Sequence, residues 1–334
     1  MPFRLRRPRP VESAPTERRP AERPPAEHRV VERPPDERLA DVLAAVRSVE
    51  LQPGRLVTDV LAGGFRSTFR GAGVEFSEVR EYVEGDDPRT VDWNVTARVG
   101  RPMVKRFVEE RERTLVFGLD VSAGMAAGLG AWSLRQAAAR FCACLGLAAI
   151  GNHDRVGLLA GGESLQRLVL PKKGGGHVLR VLRDCVELPT GTGAADLDVL
   201  FATAAARLRR RVVLFVLSDF AGERPWRSLL PCAHRHDVVA VRLLAHELLA
   251  PPPALLSVVD PATGARAVVD FAHAPTRAEW ARRVAAWRAA RDAQFGRAGV
   301  DVVDIALPAT ADIGALAEPL RRFFHRREVR QVKR

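Results

Sequence analysis

Three runs in this chain of 334 residues are almost wholly apolar: Thr114–Asp120, Arg211–Ser218 and Val238–Leu244. A strand with one face in water alternates apolar and polar residues. A strand without that alternation buries both faces, which means the inside of a mostly parallel sheet with helices above and below. Segments with helical spacing separate these runs: Ser133–Ile150, His177–Val186, Leu197–Leu208 and Trp226–His236. Arg155–Ala160 and Val300–Leu307 read as further strands, and Leu165–Leu170 as an antiparallel partner of the first of these. Ser257–Asp260 and Ala267–Asp270 flank Pro261-Ala262-Thr263-Gly264, a hairpin signature. Thr276 reads as the cap of a long helix to Ala298, and Ile313–Arg327 as the last helix. Strands alternating with helices predict an α/β fold.

Composition narrows the class. The hydrophobic share of 47% is that of a globular protein. No window approaches 18 uncharged apolar residues, the N-terminal arginines precede no apolar stretch, and the expected location is the cytoplasm. Cys142, Cys144, Cys185 and Cys232 show no C-x-x-C spacing and read as reduced packing residues. The net charge of +12 permits a nucleic acid or an anionic membrane as partner. No aromatic platform interleaves the basic residues, and arginine over lysine also follows from coding bias, so nucleic acid is disfavoured.

Four regions are expected. Residues 1–38 are expected to form a disordered tail of Pro, Arg and Glu, with Glu22-Arg23-Pro24-Pro25 recurring as Glu32-Arg33-Pro34-Pro35. Residues 39–113 open on a helix with Leu39, Val42, Leu43 and Val46 on one face. They continue into a dense polar block: Glu75-Phe76, Arg80-Glu81-Tyr82, Gly85-Asp86-Asp87-Pro88-Arg89, Asp92-Trp93, Ala97-Arg98 and Arg111. Residues 114–310 form the main domain, and 311–334 a helix with a basic tail. Asp86-Asp87-Pro88 suits a helix or turn start, Val91–Arg98 a short helix and Met103–Glu109 a strand. Unpaired buried charge is costly, so the block needs partners. Glu75, Arg80, Tyr82, Asp86, Asp87, Arg89, Asp92, Trp93, Arg98 and Arg111 read as a charge network fastening this segment to the sheet or as a partner surface, the first being favoured. Trp93 reads as a core anchor.

In an open α/β sheet, ligands bind outside the carboxyl ends of the strands. Asp120 and Asp219 follow two of the apolar runs, Ser122 lies two residues beyond the first, and Thr192 sits in the glycine-rich loop Thr190–Gly193. Such hard oxygen donors suit Mg²⁺, although the acids could equally cap helices or loops. His234 and His236, near a helix end, read as solvated or as interacting with the helix dipole. No Ser/His/Asp or Cys/His arrangement presents itself, so no enzyme is expected.

Asp120-x-Ser122 with Asp219 resembles the metal-ion-dependent adhesion site of von Willebrand factor type A domains. The polar block, together with Lys105, Glu110-Arg111, Ser218-Asp219-Phe220 and Asp260–Gly264, resembles the bacterial DUF58 family over residues 39–310. The resemblance implies a von Willebrand A-like, Rossmann-like sheet and a non-enzymatic interaction module. It also implies, as partner, a MoxR-type AAA+ ATPase or that ATPase's substrate. Gly124 stands where the metal motif has its second hydroxyl, and Ala195 where it has threonine; Thr192 is the nearby substitute. The alternatives are a metal-free scaffold using the charged tails and nucleic-acid binding through Arg321–Arg334.

Overall fold

The computed structural model describes residues 38–332, apart from 49, 53–54, 69–74, 85, 109–112 and 223–224. The chain enters through α1 (Leu39–Arg47), the short strands β1 (Glu50–Gln52) and β2 (Arg55–Leu56), and α2 (Val57–Thr68). A hairpin follows, β3 (Glu75–Glu81) and β4 (Met103–Val108), with α3 (Trp93–Val99) between its strands. The main domain runs β5 (Thr114–Asp120), α4 (Leu134–Gly151), β6 (Arg155–Gly161), β7 (Leu165–Lys172), α5 (Gly175–Glu187), α6 (Asp198–Arg207) and β8 (Val213–Ser218). It continues with α7 (Leu229–Arg235), β9 (Asp237–Leu244), α8 (His246–Leu249), a second hairpin of β10 (Leu255–Val259) and β11 (Arg266–Asp270), and α9 (Ala274–Ala298). β12 (Asp301–Ala306) and α10 (Ile313–Val332) complete it.

The central sheet has the order β12-β9-β8-β5-β6-β7, parallel throughout except for β7 at one edge. This is the mostly parallel, Rossmann-like α/β arrangement expected from the sequence. The chain winds outward from β5 to β7, then returns to β8 and winds the other way. The reversal makes a crevice between the carboxyl ends of β5 and β8, where open α/β sheets bind their ligands.

The apolar runs bury both faces. Leu115, Phe117 and Leu119 point into one core with Phe215, Leu217, α4, α5 and α10. Val116, Leu214 and Val216 point into the other, with α6, α7 and α9. That is why these runs carry no period of two. α4 starts with a capping box, Ser133 and Gln136 each accepting from the other's backbone N–H. α2 also belongs to the first core: the Phe65 ring lies 6.1 Å from Phe324 and 6.4 Å from Phe215. A Cβ on Gly64 would stand 2.8 Å from Phe324 Cδ2, so glycine is what lets α2 and α10 meet this closely.

Some elements differ from expectation. α7 begins at Leu229 because Trp226 is drawn into the second core, stacked 5.1 Å from Phe295. α9 begins at Ala274 with a proline in its first turn; His273 is the residue before it, and Thr276 lies inside, its hydroxyl 3.2 Å from His273 Nδ1. His236 is buried, with Nε2 3.1 Å from the Ala204 carbonyl, rather than solvated. The four cysteines are free and buried.

Arg242 interrupts β9 and is fully buried. Its guanidinium reaches Asp304 on the adjacent strand at 2.8 and 3.0 Å and Asp292 of α9 at 2.9 Å. It thus fastens edge strand and helix to the sheet. Asp292 and Asp304 are partly exposed and Asp304 also pairs with Arg288, so the buried charge that depends on this network is Arg242 itself. Asp304→Leu is expected to lower stability by about 3 kcal/mol in urea unfolding, because it leaves the buried guanidinium with Asp292 alone. Arg242→Met with Asp304→Leu should recover part of that loss, because the buried guanidinium goes with the carboxylate.

Candidate functional site

The register of the two central strands sets the site. Leu119 pairs with Leu217, so Asp120 ends β5 opposite Ser218 at the end of β8. Asp120 is fully buried. Its Oδ1 accepts the Ser122 N–H at 2.8 Å and its Oδ2 the Ser218 hydroxyl at 2.6 Å. Ser218 Oγ in turn accepts the Phe220 N–H at 2.9 Å. Asp219, half-buried, projects one residue beyond and accepts the Ala221 N–H on Oδ1 at 2.9 Å.

A Cβ built on Gly124 would lie 2.9 Å from Asp219 Oδ2 and 3.8 Å from Ser122 Oγ. These two oxygens border the space over Gly124, and a larger residue would displace the carboxylate. The glycine-rich loop is sewn to the same edge: Gly191 N–H donates to Val121 O at 2.6 Å, and Ala123 N–H to Gly193 O at 3.1 Å. Thr192, exposed, sits between these two bonds. Ala195 is buried, and its carbonyl lies 3.0 Å from where a Gly222 Cβ would stand. The sequence-predicted Asp120, Ser122 and Asp219 therefore come together, with the Thr192 loop bonded alongside.

α9 reaches over from the second face. Arg291 donates from Nε to Phe220 O at 3.1 Å and from Nη2 to Gly222 O, and its guanidinium lies 4.7 Å from the Trp226 ring centroid. Phe220 has φ +54°, a left-handed conformation costing a non-glycine residue about 1–2 kcal/mol, and these donors hold it there. Ser218 was readable from the aligned ends of the two apolar runs. Arg291 carries no sequence signal, lying some seventy residues from the loop it secures.

Burial, and then the neighbouring Asp219 charge, push Asp120 up to about 6. Burial also raises Asp219, partly offset by the Ala221 N–H. Asp120, Asp219 and Ser122 Oγ are hard oxygen donors of the type Mg²⁺ accepts. Among the described residues no group of three or more His, Cys, Asp or Glu could hold a metal.

The polar block pairs locally. Arg80 forks onto Asp86 at 2.8 and 2.6 Å, and Tyr82 donates to Asp86 O at 3.2 Å. Asp87 accepts the Arg89 N–H at 2.9 Å, and Asp92 caps α3 through Asn94 and Val95. These bonds shape the insert itself rather than fasten it to the sheet. Arg89 and Arg98 are exposed. The side chain of Glu75 and all of Arg111 lie outside the described residues. Trp93 is 72% exposed, not a core anchor: α3 buries none of its own residues, and the buried member of the pair is Asp92.

A family model described as a protein of unknown function, DUF58, matches residues 78–290. Uncharacterized proteins Rv1480 of Mycobacterium tuberculosis and Mb1516 of Mycobacterium bovis are each 33% identical over 63% of this chain. The match spans 66% of their length, just under two thirds. Among solved structures, the conserved hypothetical protein BatB from Bacteroides thetaiotaomicron aligns at 11% identity and TM-score 0.38, over 64% of this chain and 99% of its own. A von Willebrand factor type A protein from Catenulispora acidiphila aligns at 12% identity and TM-score 0.35, over 68% and 44%.

Two outcomes are expected. A raised carboxyl pKa means that the folded state holds its proton more tightly. The stabilisation from Asp120 is therefore complete below about pH 4 and lost as pH rises through about 6. In chelator, Asp120→Asn should gain stability over wild type between pH 4 and pH 7.5, reaching about 3 kcal/mol at the top. Parallel pH profiles would contradict the charged pair. Separately, Trp93→Ala should shift urea unfolding by less than about 0.5 kcal/mol, against about 1 kcal/mol for the cap-deleting Asp92→Ala.

Proposed function

The chain belongs to the DUF58 family, and from that premise and the site geometry we propose that it acts by binding a protein partner at the carboxyl edge of its sheet. The observation that carries this reading is the Asp120–Asp219 pair. Two acids at the switch point of a parallel sheet, one fully buried, are held by backbone N–H groups and serine hydroxyls, with no ion pair to either among the described residues. Such a pair has unspent capacity for a cation, and the crevice around it is where this fold class binds.

Mg²⁺ is the proposed ion, held by Asp120, Ser122 and Asp219 with Thr192 from the adjoining loop. Glycine at 124 and alanine at 195 leave water to complete the shell, which makes the site weak. The bound ion would supply an open coordination position for a partner carboxylate. The loops Gly124–Gly130 and Phe220–Pro225 would select among partners. The proposed partner, carried by the family resemblance, is a MoxR-type AAA+ ATPase or that ATPase's substrate. The chain is proposed to bind rather than catalyse. No helix among the described residues is long and apolar enough to cross a membrane.

Calorimetric titration of Mg²⁺ and Mn²⁺ into chelator-treated protein should give saturable binding that Asp120→Ala and Asp219→Ala abolish. Binding to a purified MoxR-type ATPase from the same organism should fall with chelator and in Asp219→Ala. ATPase binding that survives chelation and Asp219→Ala alike would overturn the site. Absence of metal binding in wild type, with ATPase binding still sensitive to Asp219→Ala, would remove the ion and keep the surface.

A further inference from the structure

The hairpin β10–β11 stands as a two-stranded sheet of its own. Isolated hairpins are marginal in water; this one is apolar on one face and mixes Leu255, Val259 and Val268 with Ser257, Arg266 and Asp270 on the other. Leu256, Val258, Ala267 and Val269 are half-buried on one face. Leu255, Val259 and Val268 are exposed on the other, by 67%, 46% and 68%. An unpaired strand edge flanked by exposed apolar side chains is a template for pairing with another chain. Its turn is well built: Asp260 accepts from Ala262 N–H and from the Thr263 hydroxyl, and Gly264 takes φ +70°.

The ladder shows which backbone groups are spare. Phe271 N–H donates to Ala254 O and Asp260 N–H to Ala265 O, at the two ends of one continuous register. Hydrogen-bonded and non-hydrogen-bonded pairs alternate along an antiparallel ladder. The pairs 256–269 and 258–267 are then the bonded ones. Arg266, Val268 and Asp270 fall in the other set, with N–H and C=O directed away from β10. No strand pairs with that edge among the described residues.

We propose that this free edge of β11 pairs antiparallel with the same edge of a second copy of this chain, with Val268 on the two-fold axis. Arg266-Ala267-Val268-Val269-Asp270 is complementary to its own reverse. Pairing Val268 with its counterpart sets Arg266 opposite the second copy's Asp270, and Asp270 opposite its Arg266. The three residues with outward backbone groups are then the three that must exchange bonds, so charge and ladder select one register. The product is a four-stranded antiparallel sheet with an isologous contact. Val268 then meets its counterpart across the two-fold, on the face that also carries Leu255 and Val259. β10, Leu-Leu-Ser-Val-Val, has no such charge pattern. The interface is small, so the dimer is a weak, micromolar one.

Sedimentation equilibrium of the full chain over about 5–500 µM tests this. Wild type should self-associate. Arg266→Asp and Asp270→Arg, each confirmed folded by circular dichroism, should weaken association by about tenfold or more, through like charges placed opposite each other. Combining both reversals in one chain should restore it. Mixing the two single variants should give a one-to-one heterodimer, an outcome that a merely damaged hairpin could not produce. A monomeric wild type across the range, single variants that associate as wild type does, or a mixture that stays monomeric would overturn the proposal.

Discussion

The hydrogen bond from Ser218 to Asp120 ties the two central strands together at the point where the sheet changes winding direction. A buried carboxylate is costly unless it is hydrogen-bonded. Here the same bonds that offset that cost also fix the loops leaving both strands. Ser122 N–H turns the first loop back onto Asp120. Phe220 N–H turns the second onto Ser218. The Asp120 loop then receives the Gly191–Gly193 loop through two backbone bonds. One buried acid thus organises three segments from different parts of the chain, leaving Asp219 at the mouth.

Glycine at 124 follows from this packing. With Asp219 Oδ2 2.9 Å from the missing Cβ, the carboxylate occupies room that a hydroxyl-bearing side chain would need. The departure from the adhesion-site motif is therefore coupled to where Asp219 sits. A serine placed there would have to move the acid before it could contribute its oxygen.

Much of the fold was legible because burial on both faces erases alternation. The runs ending at Asp120, Ser218 and Leu244 could be little else than inner strands, and Pro261–Gly264 announced its hairpin. Other features leave no local trace. Trp93 has the spacing of an anchor, and only the tertiary arrangement shows α3 contributing nothing to the core. Arg242 sits in a strand that reads as apolar, and its partners lie fifty and sixty residues on. The same holds for the local pairing of the polar block. Charges at short spacing can bind each other or a distant surface, and the Arg80–Asp86 fork decides for the former at those residues. At the site, strand ends revealed Asp120 and Asp219, while long-range contacts alone revealed what holds the loop beyond Asp219.

α9 joins the two ends of this arrangement. Its first turns are anchored beside the second hairpin, where Arg277 donates to Phe271 O and Ala272 O and Trp280 to Leu248 O. Its middle carries Trp287 into a small core with Leu244 and Val284 and places Arg288 on Asp304. One turn further, Arg291 secures the left-handed Phe220. A helix pinned at this many points along one face cannot rotate without breaking several hydrogen bonds at once. The conformation of the loop carrying Asp219 is thus set by the packing of α9 as well as by the strand that precedes it. The acid at the mouth is preorganised from both sides, which would lower the conformational entropy lost if the proposed cation or partner engaged it.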